Sequence, residues 1–301
     1  MFKGKLKMKD SLGYYIFLLP ALIVLLVFRY YPMRGLFIAF QKFDIFAGIE
    51  NSKFVGMQNY QRLFTSRDFL QVFRNTLVIS ALKIVLLFPM GIIVALILNE
   101  LRSVVYKRFV QTVIYIPHFF SWVVVATLMN NFFSVSGGLM NRVINALGGE
   151  SIGFLVSNTW FRSILIFSSG WKESGWNAIV YIAAIASINP DLYEAASIDG
   201  AGRLGKIRHI TIPSIMPTVV MLLIIRVGWL LDAGTQQILV MYNPVVYEVA
   251  DVIGTYVYRF GLGKMEYSLG AAAGLFNSVV GLLMVLLSNA LSRKFRGVSI
   301  W

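Results

Sequence analysis

Between two apolar stretches lies Asn189-Pro-Asp-Leu-Tyr-Glu-Ala-Ala-Ser-Ile-Asp-Gly-Ala-Gly-Arg-Leu-Gly-Lys-Ile-Arg-His-Ile-Thr-Ile-Pro213, a polar segment in an otherwise greasy chain. Its residue types describe a short capped helix. Asn189 supplies the N-cap, Pro190 suits the first helical position, where no backbone donor is needed, and Gly200 suits the stop. A second short helix is expected over 203–209, before Pro213 opens the next apolar stretch. Ala195, Ala196 and Ala201 leave a small-residue surface that another protein can approach closely.

The flanks set the class of the chain. Apolar residues make up 57% of the 301 positions and charged residues 14%, and the mean hydropathy is +0.72. A water-soluble domain carries about 25% charged residues, so this surface faces lipid. Roughly 20 mostly apolar residues cross a hydrocarbon core as a helix. Six segments qualify: 14–31, 76–98, 111–133, 160–188, 214–237 and 269–291. The expectation is an all-α integral membrane protein with six transmembrane helices.

Orientation follows from the basic residues. With the N-terminus inside, the inner segments hold Lys3, Lys5, Lys7, Lys9, Arg102, Lys107, Arg108, Arg203, Lys206, Arg208, Arg293, Lys294 and Arg296. The longer outer loops hold Arg34, Lys42, Lys53, Arg62, Arg67, Arg74, Arg142, Arg259 and Lys264. That density puts both termini in the cytoplasm. The same rule accounts for the net charge of +13, and no basic stripe with interleaved aromatics points to nucleic acid. The first span follows a basic run, lacks a small-x-small cleavage site and ends at Arg29-Tyr30-Tyr31-Pro32, so it reads as uncleaved.

No cysteine is present, which excludes disulfides and thiolate chemistry. His118 and His209 stand far apart with no ligand spacing, so no metal site is expected. No repeat or linker divides the chain. A cytoplasmic segment 1–13 and a single membrane domain 14–301, with the cytoplasmic loop 189–213, are expected. The outer loop 34–74 has an amphipathic stretch over 59–73, open to two readings, a folded cap or a docking surface. Gly270-Ala-Ala-Ala-Gly274 in the last span offers close helix packing or a hinge.

Two nucleotide motifs overlap at the central segment and both fail. Gly200, Gly202 and Gly205 fit a dinucleotide fingerprint, and Gly200 with Gly205-Lys206 fits most of a P-loop. Both need a strand before and a helix after. A membrane helix precedes them here, and Ile207 has no hydroxyl for Mg²⁺. Any ATP must bind another chain.

Glu194-Ala195-Ala196, Asp199-Gly200-Ala201, Ile212-Pro213 and Pro217 resemble the EAA loop of binding-protein-dependent ABC importer permeases. Phe54-Val-Gly56, Asn59-Tyr60, Asn75-Thr-Leu77 and Ile116-Pro-His118 extend the likeness to sugar permeases of the maltose type. Trp171-Lys-Glu-Ser-Gly-Trp176 and Tyr242-Asn-Pro244 resemble the subgroup for oligosaccharides and polysaccharide fragments. The resemblance implies a type I ABC importer permease fold. It implies that Tyr193, Glu194, Ala195, Ala196, Asp199, Gly200, Ala201 and Pro213 couple the chain to an ATPase. It also implies as partners a second homologous permease (similar or identical), two ABC ATPases holding ATP and Mg²⁺, and an extracytoplasmic carbohydrate-binding protein. This chain itself would bind no cofactor, and its remaining contact would be membrane lipid.

Charges within spans must be paired, snorkelling or lining water. Arg29 and Arg162 lie near span ends, where snorkelling explains them, and Lys83 and Arg226 also fall within spans. Lys172, Glu173 and Asp232 lie deeper. In span five, Trp229, Asp232 or Ala233, and Gln236 recur at helical spacing on one face; in span four, Lys172 shares a face with Trp176 and Glu173 with Asn177. Aromatics that stack on sugar rings, with carboxylates and amides that bond hydroxyls, make a candidate sugar site. A structural Lys–Glu or Lys–Asp pair between helices is the competing reading, and the basic excess favours an anionic glycan. Two other functions compete: an ion-coupled secondary transporter, which needs broken helices and inverted repeats but not the EAA loop, and a membrane enzyme, for which neither His has an evident orienting partner.

Overall fold

The computed structural model describes residues 8–296 and is helical nearly throughout, with one two-residue ladder. Lys3, Lys5 and Lys7, and with them most of segment 1–13, lie outside the described residues. Two compact units emerge. One takes in the chain up to Thr65 together with Val257–Leu275; the other takes in Ser66–Tyr256 and the chain from Phe276 onward.

In the first unit, helix α1 (Gly13–Phe40) buries none of its apolar window, as a lipid-facing helix would not. Strand β1 (Gln41–Lys42) then pairs antiparallel with β2 (Lys53–Phe54), placing Gln41 opposite Phe54. Buried Asn59, on helix α2 (Gln58–Thr65), holds this corner by donating to the Ala39 and Gln41 carbonyls, each at 2.9 Å. Gly270 meets the Gly261 backbone so closely that a methyl there would sit 2.8 Å from its Cα. Gly274 has open space where a Cβ would go, so the close packing expected of the small-residue run rests on Gly270.

The second unit opens with α3 (Arg67–Asn99), capped by Ser66, whose hydroxyl accepts from the Phe69 amide. The amphipathic stretch 59–73 is therefore not one surface helix. Ser66 ends α2 and starts the span. Helices α4 (Val104–Phe119) and α5 (Trp122–Phe133) follow, bent 102° apart, where a single span 111–133 was expected. Pro117 and the new cap Ser121, which accepts from Val124, explain the bend. Helix α6 (Phe161–Ala186) is continuous. Its small residues bring neighbours close: a methyl on Gly175 would overlap the Ile114 carbonyl, and one on Gly91 would sit 3.1 Å from Asn177 Cβ. A core of Ala95, Ala178, Tyr181, Ile185 and Ile215 joins α3 and α6 to the chain just after Pro213.

After the short α7 (Pro190–Ile198), helix α8 runs without a stop from Arg203 to Gly228. The separate helix expected over 203–209 is its first turns. Pro213 cannot donate to the ladder, and a wide turn over Ile207–Thr211, closed by the Ile212 amide on the Ile207 carbonyl, absorbs the mismatch. The expected fifth span does not reach residue 237. It breaks after Gly228 and resumes as α9 (Thr235–Met241). Helix α10 (Tyr267–Arg296) closes the chain. Helices α1, α3, α8 and α10 are long and apolar enough to cross a membrane, and the bent pair α4–α5 would make a fifth span. Helix α6 has the length, 26 residues, but its mid-helix polar residues keep it out of that set.

Candidate transport cavity and coupling helix

Helix α7 is built from its own ends. The Asn189 side chain accepts from the Asp191 amide at 3.1 Å, and Pro190 occupies the first turn. At the far end Gly200 adopts φ +76°, and the Ala201 amide reaches back to the Ala196 carbonyl at 2.8 Å. With the Gly200 amide on Ser197, this is a Schellman cap, and glycine is the residue that takes its left-handed position without strain. Two bonds tie α7 to the foot of α8. The Tyr193 hydroxyl meets Thr211 Oγ1 at 2.9 Å, and Lys206 Nζ donates to Ser197 Oγ at 2.6 Å. Ile198 and Leu204 stand 87% and 82% exposed, an apolar edge left uncovered by the described residues.

The break between α4 and α5 is clamped from α6. Lys172 donates a short bond to the His118 carbonyl. Glu173 Oε2 lies 3.0 Å from His118 Nδ1, and Trp176 stacks on the imidazole with ring centroids 4.1 Å apart and planes within 2°. Three side chains within five positions of one helix thus converge on a single residue at the bend.

The break after α8 is clamped from two sides. Ala233 and Gly234 both turn left-handed, at φ 51° and 83°. Lys83 Nζ donates to the Ala233 carbonyl at 3.0 Å and to Gln237 Oε1 at 2.7 Å. Ser80 donates to the Leu230 carbonyl. From α6, Ser169 donates to the same Gln237 oxygen at 2.7 Å, while Gln237 Nε2 donates to the Leu165 carbonyl and Ser168 Oγ. Every polar atom of the buried Gln237 side chain is satisfied, as a group without water must be.

A two-lobed cavity lies between the two breaks. One lobe, about 210 Å³, is polar: Ser80, Lys83, Trp122, Glu173 and Asp232 face it. The other, about 230 Å³, is aromatic and apolar, with Phe88, Trp176, Tyr181, Leu222 and Ile225. Leu87, Asn177, Arg226 and Trp229 line both. Irregular backbone at membrane depth is tolerated where it lines such a cavity or is buried in protein. Trp229 is 68% exposed, free to present its ring. No hydrogen-bond or ion-pair partner engages the Arg226 guanidinium among the described residues.

Residues 88–297 match the model of the family described as "Binding-protein-dependent transport system inner membrane component". The chain belongs to that family. It is therefore a multi-pass membrane transport subunit, a permease, and not an enzyme. The polygalacturonan/rhamnogalacturonan transport system permease protein YteP of Bacillus subtilis (strain 168) is 46% identical over 281 residues, 93% of this chain and 88% of that protein. A permease chain in the crystal structure of a bacterial alginate ABC transporter, in complex with its alginate pentasaccharide-bound periplasmic protein, superimposes with a TM-score of 0.90. It is 43% identical and the match covers 97% of this chain and 98% of that one. At 16% identity, a chain of the MetNI methionine ABC transporter shares the fold over 79% of this chain and 98% of its own, with a TM-score of 0.51.

The expected site residues of the permease divide. Glu173, Trp176, Asn177, Trp229 and Asp232 come together around the cavity. Lys172 does not: it is 5% exposed and engaged with His118. Trp229, Asp232 and Gln236 do not share a helical face, because the helix ends between Gly228 and Thr235. Gln236 is exposed and lines neither lobe, and its neighbour Gln237 is the buried one. His118 has an orienting partner after all, Glu173 on another helix. Arg162 does not snorkel to the interface; it donates to the Val249 carbonyl and to Asn75 Oδ1. The lobe residues Ser80, Trp122 and Tyr181 were missed. Ser80 carries a local signal, a small polar residue three positions before an intramembrane Lys, and Trp122 and Tyr181 carry none.

Proposed function

We propose that this permease moves oligosaccharides or polysaccharide fragments across the cell membrane as part of an ATP-driven importer, with α7 transmitting the stroke of a separate ATPase. The observation that carries the reading is the cavity itself. Trp229 and Trp176 offer ring faces, and Glu173, Asp232 and Asn177 offer hydrogen-bond partners for hydroxyls. The named cargoes of two relatives, polygalacturonan/rhamnogalacturonan and alginate, support a sugar-chain cargo. Arg226, a cation at both lobes with no hydrogen-bond or ion-pair partner among the described residues, favours an acidic glycan over a neutral one.

In this account six helices span the membrane, α6 and the bent pair among them, with both termini cytoplasmic and 14–301 acting as one domain. Tyr193, Glu194, Ala195, Ala196, Asp199, Gly200 and Ala201 form the docking element, and Pro213 the start of the lever behind it. A homologous second permease, most consistent with a heterodimer, completes the pore. Two ATPases hold ATP and Mg²⁺, this chain holds no cofactor, and an extracytoplasmic carbohydrate-binding protein delivers cargo. Lipid covers the rest, and nucleic acid has no place in it.

The test is purification of the tagged chain from detergent-solubilised membranes. A second permease and an ATPase should co-purify with ATPase activity, and both ATPase protein and activity should be lost when 194–200 is disrupted. A chain that purifies alone in several detergents would overturn the proposal. Equal uptake of neutral and uronate-containing oligosaccharides would overturn the acidic-cargo part alone.

A further inference from the structure

We propose that Lys83 is a positioning residue that holds the Ala233–Gly234 turn closed and so fixes where Trp229 and Asp232 meet the cavity; the inference rests on the cavity being the cargo site. A charged side chain at membrane depth is costly unless it is paired or lines water. Lys83 is 6% exposed, yet no carboxylate lies within ion-pair distance of its ammonium among the described residues. What it holds is the broken helix. Its two acceptors are the carbonyl of Ala233, the first of the left-handed pair, and Gln237 Oε1 on the helix that follows it.

The geometry leaves little room for a substitute. A methyl on Gly234 would collide with Lys83 Nζ, so the glycine is required both by its φ of 83° and by the ammonium above it. Ala233 has no such freedom. A non-glycine residue in the left-handed region is uncommon and persists when its surroundings fix it. Here the surroundings are a packed core around its methyl, with Ile79, Phe161 and Leu165 among its neighbours, the Thr235 hydroxyl on the Asp232 carbonyl, and the ammonium on its own carbonyl. Gln237 is the hub through which Ser169 and Ser168 share the load, but it touches no atom of residues 229–233 in these bonds. Among the described residues, Lys83 is the side chain that bonds both the hub and the turn.

The chain's lack of cysteine makes the turn directly readable. A single Ala233→Cys, at a position 4% exposed, should react slowly with a membrane-impermeant maleimide in the intact complex, while Trp229→Cys reacts readily. Adding Lys83→Met to Ala233→Cys should speed labelling roughly tenfold, the equilibrium equivalent of losing one charge-assisted hydrogen bond. Trp229→Cys should label in both backgrounds. The double change Lys83→Met with Gln237→Leu removes the charge and its side-chain acceptor together, and should label as fast as Lys83→Met alone. Unchanged labelling on loss of Lys83, or protection regained in the double variant, would overturn the proposal; the second result would mean that Lys83 serves only to satisfy Gln237. The labelling rates carry no sugar, so they stand apart from the cargo reading. Trp229→Ala with normal uptake would sink that reading and leave the clamp result in place.

Discussion

The segment 189–201 and the segment 229–237 both interrupt helix, and they are held by opposite means. The first closes on itself: Asn189 caps Asp191, and Ala201 bonds Ala196 across the left-handed Gly200. The second is held from far along the chain, by Lys83, 150 positions from Ala233, and by Ser169, 68 positions from Gln237. A turn that carries its own caps keeps its shape in solvent, where another protein can seize it. A turn whose bonds come from neighbouring helices changes when those helices shift. The first arrangement suits a lever, and the second suits a cavity wall that must open and close.

That contrast breaks most sharply at Gly200. Gly200→Val places a β-branched residue at φ +76°, where a side chain costs on the order of 1–2 kcal/mol and the cap is lost besides. Transport should fall to about a tenth or less while the chain stays in the membrane at its normal level. Uptake assays with a membrane immunoblot check both. At the other break, Trp229→Ala should cut uptake several-fold, as expected from about 0.5–1.5 kcal/mol of lost ring contact, and leave ATP hydrolysis without cargo unchanged. Asn189→Ala removes a cap worth about 1 kcal/mol, and ATPase recovered with the tagged chain should drop a few-fold. Tyr193→Phe deletes only the bond to Thr211. With about 0.5–1.5 kcal/mol at stake and water at hand, uptake per ATP hydrolysed should fall by about twofold at most. Thr211→Val should do the same, and the pair together no more than either alone.

The same contrast explains what could be read from the residues. Helix α7 was legible to the residue, because Asn189, Pro190 and Gly200 act on their own backbone. The apolar runs announced α1, α3, α8 and α10 for the same local reason. The two breaks were not legible. Periodicity carried span five through residue 237 because nothing in Trp229-Leu-Leu-Asp-Ala-Gly234 except one glycine opposes helix, and the carbonyl bonds that open it come from Ser80 and Lys83. The bend at His118 hinged on Pro117, which was visible, and on Lys172, Glu173 and Trp176, whose target was not. Spacing thus points to Lys172 and Gln236, whereas the structure puts Lys83 at the cavity wall, bonded to Gln237. Side chains that act across 50 or more positions leave no period behind.

The most direct test of the account is a crosslink from the cysteine-free chain. Ile198→Cys, 87% exposed at the end of α7, should join the ATPase chain through a short bifunctional thiol reagent, and Phe46→Cys, 97% exposed in the 34–74 loop, should not. A crosslink to the ATPase from Phe46→Cys, with none from Ile198→Cys, would contradict the coupling role of α7 and the orientation on which it depends.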